Sequence, residues 1–129
     1  MPVIQFSHIC EYARVDPGGS VSIIGIFDTV HVPDIPANFP FIHVITGLSG
    51  QRGEKFQFTT RLSAPDGQIL QSAPPVDVAF HQDDASVKQI NGYIGLVFPA
   101  FGVYSFEILI NNTVVHTIPF TVIKKIHGQ

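Results

Sequence analysis

A chain of 129 residues fits one domain and is long enough to bury a core; 13% of it is charged and 45% hydrophobic, with eleven Phe and no Trp. Average soluble domains carry about 25% charged residues, so little charge is left to cover this surface, and part of it is expected to lie against a second copy. A net charge of -3 with seven scattered Lys and Arg offers no basic stripe for phosphates or anionic lipid, so neither nucleic acid nor a membrane surface is an expected partner.

The N-terminal MPVIQFSHICEYARV alternates apolar and polar residues and lacks the unbroken apolar run of a signal peptide. No segment approaches the ~20 apolar residues that span a bilayer as a helix. The single Cys10 cannot form an internal disulfide. Together these features predict a cytoplasmic chain, in which the sequon Asn111-Asn112-Thr113 is read as a turn.

Val3 to Val15 is expected to be a strand whose even positions, Ile4, Phe6, His8, Cys10 and Tyr12, form the more apolar face. Asp16-Pro17-Gly18-Gly19 is a turn, since Pro sets one backbone angle and Gly admits positive ones. Ser20 to Val32 is β-branched and apolar on both faces, which predicts a central strand covered on both sides, with Gly25 marking a bulge or a close backbone approach. The three prolines of VPDIPANFP, Val32 to Pro40, exclude a central strand and a helix and predict a crossing loop, with Ile35 and Phe39 plugging the end of the core.

Phe41 to Leu48 resumes as a strand, and SGQRG turns it back into Glu54 to Ala64, where Phe56, Phe58, Thr60 and Leu62 alternate with polar residues. An odd loop length keeps even positions matched, which predicts a hairpin pairing Leu48 with Glu54 and Val44 with Phe58. Pro65-Asp66-Gly67 turns into a short strand at Gln68 to Gln71, stopped by Pro74-Pro75. Val76 to His81 alternates again. Val87 to Phe98 places Ile90, Ile94, Leu96 and Phe98 on one face, with Gly92 and Gly95 as bends.

The last fifth carries the clearest pattern. Tyr104, Phe106, Ile108 and Ile110 alternate with polar residues, as do Val114, Ile118, Phe120 and Val122 after the Asn-Asn-Thr turn. The expected cross-strand pairs are Ile110 with Val114, Ile108 with His116, Phe106 with Ile118, and Tyr104 with Phe120. Pro119 marks an edge or a bulge. About nine short strands separated by turns, with no amphipathic helix, predict a single all-β domain over residues 1-129: an antiparallel two-sheet sandwich, immunoglobulin-like in the loose sense.

Two segments, CEYARVDPGGSVSIIGIFDTV with its Gly-rich turn and GVYSFEILINNTVVHTIPFTV at the end, resemble an uncharacterised family of small bacterial proteins of unknown function. The resemblance implies a β-sandwich over the whole chain and supplies no activity, substrate or catalytic residue.

The chain offers few candidates for chemistry. His8, His31, His43, His81, His116 and His127 lack the spacings of known metal motifs, so no metal or other cofactor is expected. His81-Gln82-Asp83-Asp84 is the one dense polar cluster, and two adjacent carboxylates are too few for calcium unless Asp66 or Asp77 joins them. Gly47-Leu48-Ser49-Gly50 is followed by Gln51, which breaks the nucleophile-elbow pattern. Cys10 reads as a buried small hydrophobe with Arg14 its nearest cation in sequence. The expected function is therefore a non-enzymatic interaction module that forms a homo-oligomer, with another protein as the second kind of partner. The alternative is a small-ligand or carbohydrate binder in which Phe39, Phe41, His81, Asp83 and Asp84 line the loops at one end of the sandwich.

Overall fold

The computed structural model describes residues 2-126, and His127 lies outside them. Among the described residues the chain forms ten strands and no helix: β1 (Val3–Val15), β2 (Val21–Ile26), β3 (Thr29–Val32), β4 (Ala37–Gly50), β5 (Lys55–Ser63), β6 (Ile69–Ser72), β7 (Val76–Ala79), β8 (Ala85–Phe98), β9 (Gly102–Ile110) and β10 (Thr113–Lys124). One sheet runs β2-β1-β4-β8 and the other β3-β10-β9-β5-β6, with β7 also on β5. Each inner face is apolar, and the two close over a shared interior, as the alternating pattern requires. All pairings are antiparallel except β3 with β10, which is parallel.

The stretch expected as one central strand, Ser20 to Val32, is two edge strands in different sheets. The chain leaves the edge of one sheet after Ile26 and joins the edge of the other at Thr29, so its apolar residues serve two surfaces in turn. The expected hairpin of β4 with β5 is likewise corrected. β4 pairs with β1 and β8, while β5 pairs with β9, β6 and β7. Val44 and Phe58, expected side by side, belong to different buried clusters, and Phe58 shares its cluster with Leu48 of the opposite sheet. Matching parity suits a crossing between sheets as well as a hairpin.

The terminal hairpin keeps three of its four expected pairs: His116 with Ile108, Ile118 with Phe106, and Phe120 with Tyr104. Asn111 and Asn112 both take positive φ, 49° and 65°, so the turn has two residues and Ile110 meets Thr113. A bulge between Val114 and His116 then restores even-to-even matching. Pro119 lies where β10 has β9 on one side and no partner on the other, because β3 joins only from Thr121.

Pro40 sits inside β4, which the prolines were expected to exclude. The ladder with β8 passes from Phe39–Leu96 to Phe41–Ile94, omitting Pro40 and Gly95, and β1 pairs with β4 only from His43 onward. Gly95 takes φ +64°. Side chains change faces here: Phe39, Leu96 and Phe98 pack inward with Ile42 and Tyr93, whereas Ile94 is exposed and Phe41 stands on the outer face beside His43. Ile90 packs outward too, so the face predicted for β8 is split. A bulge between Ile4 and Phe6 does the same in β1, sending Ile4 to the interior and Phe6 to the outside, where its ring covers Gly47 so closely that a methyl group there would overlap it.

The outer face of the four-stranded sheet has its own small core. Cys10, Ala13 and Ile45 are buried there with Phe6, Val21, Ile23 and Ile90 packed around them. Beyond Cys10 the β1-β2 hairpin curls over this face, and the Ala13 N–H donates to Nδ1 of the His43 imidazole at 2.8 Å. The curl starts where Gly25, at φ +71°, lies over the Glu11 side chain. The hairpin tip is tied by Asp16, whose carboxylate accepts from Ser22 Oγ at 2.7 Å and pairs with Arg14 Nε at 2.7 Å. The Ser22 hydroxyl first, and Arg14 after it, hold the Asp16 carboxyl below its usual range.

Two buried tyrosines join sheets and turns. Tyr93 OH and Thr60 Oγ1 share a 2.6 Å hydrogen bond across the interior, and burial pushes the Tyr93 phenol up to about 12. Tyr104 OH donates to the Ala100 carbonyl at 2.7 Å and accepts from the Ala100 N–H at 3.2 Å, a corner like that of immunoglobulin-type sandwiches. Tyr104→Phe strands both Ala100 groups and is expected to cost about 1–3 kcal/mol in urea denaturation; an unchanged midpoint would show that water replaces the hydroxyl.

His43 generates a pH prediction. Burial lowers its pKa from an ordinary value near 6.5, and its Nδ1 must be unprotonated to accept from Ala13. The unfolded chain therefore binds a proton before the folded one does. The contribution is intact above about pH 6.5 and is lost as pH falls toward the lower folded value. Thermal melts are expected to fall over that window. His43→Gln, which offers an acceptor that does not titrate, is expected to flatten the slope.

Candidate functional site

The residues proposed from sequence as one ligand-binding wall lie at opposite ends of the sandwich. Phe39 pairs with Leu96 near one end of β8, while the loop carrying His81, Asp83 and Asp84 enters β8 at Ala85. At roughly 3.3 Å per residue, Leu96 and Ala85 are separated by about 35 Å. Phe41 is divided from Phe39 in another way, since it is on the outer face with its ring 4.3 Å from that of His43.

At the Phe39 end there is a cavity of about 300 Å3 lined by Glu11, Phe27, Thr29, Val30, His31 and Phe39. It forms where the chain crosses from β2 to β3, so the strand ends on either side of Phe27 supply the walls. Phe27 and Phe39 meet at 6.3 Å and 44°, and each leans on a deeper ring, Phe27 on Phe120 at 6.4 Å and Phe39 on Phe98 at 5.9 Å. The floor is thus the rim of the core. Glu11 and His31 are exposed beside it, and Thr29 donates its hydroxyl to the neighbouring Asp28 at 3.0 Å. Such a hollow can hold an apolar moiety against the rings with one or two polar contacts at the mouth. Phe39 was legible as a plug; Glu11 and His31 were not, because a split of the β2-β3 segment was needed to bring them together.

At the other end the carboxylates bind protein. Asp83 Oδ1 accepts from the Arg52 N–H at 3.2 Å, and Asp84 exchanges two bonds with Gln51, its Oδ1 accepting from Nε2 at 3.1 Å and its N–H donating to Oε1 at 3.3 Å. They tie the β7-β8 loop to the β4-β5 loop. Asp66 accepts from the Gln68 N–H within its own turn at 2.9 Å, and Asp77 lies on β7 opposite Gln57, so neither joins them. Among the described residues no group of three or more His, Cys, Asp or Glu is placed to hold a metal ion.

A second hollow, about 400 Å3, lies over β5 and β7 and brings Lys55, Gln57, Asp77 and Asn111 to its lining. Asn111 belongs to it because its Oδ1 accepts from the Gln57 N–H at 2.9 Å, which pins the terminal turn to β5.

The one thiol is inert by position. Cys10 is buried, burial raises its pKa, and its Sγ points to the His43 carbonyl at 3.7 Å. Arg14 is paired with Asp16. Ser49 is a strand residue of β4 opposite Val3 and Ser86, without the sharp turn that presents a nucleophile.

No curated protein matches the chain. Among solved structures it is similar to the Pseudomonas fluorescens alkylpurine DNA glycosylase AlkC bound to DNA containing an abasic site analog, with a TM-score of 0.52 and 9% identity over 90% of this chain and 30% of that one. At that identity the likeness is one of fold, and it spans under a third of the glycosylase. The sequence itself matches a family over residues 5–123, nearly its whole length, and the chain belongs to that family, DUF6941, a family of unknown function.

Proposed function

We propose that this chain is a non-enzymatic β-sandwich module that works by association, with itself first and with another protein second. The observation that carries this reading is the exposed apolar side chains at both edges of the four-stranded sheet, Ile94 on β8 at 72% and Ile24 and Ile26 on β2 at 58% each, on the two strands whose outer edges are unpaired. Isolated exposed apolar residues are ordinary; these line free edges on a chain short of charge. The reactive groups support it, since Tyr93 and Tyr104 are engaged in the interior and Cys10 is buried in the small core of the outer face. A single buried thiol also suits a reducing, cytoplasmic setting. The DNA of the glycosylase complex is not carried over, because a net charge of -3 without a basic stripe does not favour phosphates. Light scattering across the micromolar range is expected to give a species larger than the monomer, and a strict monomer would remove self-association.

A second reading rests on the Phe27–Phe39 hollow, where Glu11 and His31 flank an aromatic floor of a size that takes a small ligand. Phe39→Ala is expected to cost about 2–4 kcal/mol because its ring supports Phe27 and Phe98. Glu11→Gln, at an exposed position, is expected to leave stability within about 0.5 kcal/mol. A ligand response lost in Glu11→Gln at unchanged melting temperature would favour this reading over association.

A further inference from the structure

Strand β8 ends the four-stranded sheet, and no backbone hydrogen bond beyond its ladder with β4 reaches it among the described residues. Its ten residues from Ala85 to Ile94 pair with β4 without a break, and only at Gly95 is the ladder interrupted. The other free edges are poor templates. β2 has six residues with Gly25 at φ +71° among them, and β3, β6 and β7 have four each; the unpaired side of β10 before Thr121 carries a bulge and Pro119, that of β1 before Cys10 a bulge after Ile4, and that of β4 before His43 carries Pro40. The Ala85–Ile94 run has no Pro and one charge, Lys88, so it lacks the usual protections of an edge. It also carries an unmet acceptor. Asn91, opposite the core residue Val44, has a buried Oδ1 with no hydrogen-bond partner.

We infer that β8 pairs antiparallel with β8 of a second copy about a twofold axis at Ile90. This rests on the association reading above and gives it a surface and a register. Moving the axis by one residue shifts the partner by two and keeps side chains on matching faces, so every residue of the run is a possible axis. With Ile90 opposite its own counterpart, Gln89 lies opposite Asn91 of the other copy, at a separation of roughly 5 Å between β-carbons. Turned toward the edge, the Asn91 side chain then presents to the Gln89 amide the Oδ1 that the single chain leaves buried and unmet, twice by symmetry. Lys88 faces Gly92, and the two Lys88 side chains stand about 13 Å apart along the strand, beyond a Debye length of about 8 Å. Moving the axis to Lys88 sets like charges directly opposite. Moving it to Gln89 sets Asn91 against Val87, and moving it to Gly92 puts Asn91 against Tyr93, whose hydroxyl is held by Thr60. An axis at Asn91 sets the two Asn91 amides against each other but places Gln89 against Tyr93 instead of a second amide. The strand's own residues thus favour one register with a second copy, and the sheet becomes eight strands wide.

The experiment uses the full chain with Cys10→Ala, so that one introduced thiol remains. Ile90→Cys is expected to be captured as a dimer by a short bismaleimide, and Ser86→Cys, whose counterparts would lie about 26 Å apart, is not. Gly92 leaves ordinary room for a side chain, so charge can be tested opposite Lys88. Gly92→Glu is expected to tighten the dimer several-fold and Gly92→Lys to loosen it several-fold, by analytical ultracentrifugation. Lys88→Glu combined with Gly92→Lys, which sets the same charges opposite each other the other way round, is expected to match the tightening of Gly92→Glu. A dimer that ignores the charge changes and is not captured through Ile90→Cys overturns this edge and register while leaving association standing. A wild-type monomer throughout the micromolar range overturns both.

Discussion

Five rings hold the two sheets together: Tyr93, Phe98, Tyr104, Phe106 and Phe120. Tyr104 and Phe106 of β9 stack on Phe120 of β10 at 5.5 and 5.4 Å, and from the opposite sheet Phe98 meets Tyr104 at 5.0 Å while Tyr93 meets Phe106 at 4.8 Å. All five are essentially without solvent contact, and each is worth about 1.5–3 kcal/mol or more in removed apolar surface. Burial of two phenols brings an obligation, because an unmet hydroxyl would cancel much of that gain. Thr60 meets one from across the interior and the Ala100 backbone meets the other. The polar groups of the core are therefore consequences of using Tyr where Phe would fill the space. They also fix which sheet residues face each other and how β8 turns into β9.

The four-stranded sheet is less simple because it is apolar on both faces. Its inner face belongs to the shared core, while its outer face is partly covered by the chain's own β1-β2 hairpin. That cover depends on backbone irregularities. The bulge after Ile4 sends Phe6 outward over Gly47, Gly25 permits the curl, and His43 accepts from the Ala13 N–H that the curl removes from the ladder. At the other end Pro40 and Gly95 reverse the faces of β4 and β8 together. Paired reversals let two strands keep their hydrogen bonds on both sides of the fault.

These reversals explain what could and could not be read from the chain. The alternation through Tyr104, Phe106, Ile118 and Phe120 is unbroken, so that hairpin's register was legible apart from its turn. The doubly apolar run around Ile23 was seen, and its meaning was mistaken, because a strand buried on both faces and a segment passing between two sheets have the same composition. Parity alone could not tell a β4-β5 hairpin from a crossing. The proposed binding wall failed for a related reason: Phe39 and Asp83 both flank loops, but those loops lie at opposite ends of long strands, and strand order sets the end. Glu11, Phe27 and His31 come together only once the chain has changed sheets.

The same logic bears on how so uncharged a chain clothes itself. Part of the burden falls on Thr, Ser and Gln along the six-stranded sheet, where Thr59 donates its hydroxyl to the Ala73 carbonyl at 2.6 Å and Arg61 pairs with Glu107 at 2.7 Å across β5 and β9. Part falls on the curled hairpin. Neither covers the open edge of β8, which is regular and has an exposed Ile94 and the unmet Asn91 at its inner side. On other flanks the free runs are short or are broken by a bulge, a proline or a glycine at positive φ, each of which limits strand addition. The protein thus concentrates its capacity for backbone pairing on one strand, and a surface poor in charge does little to repel what approaches it there.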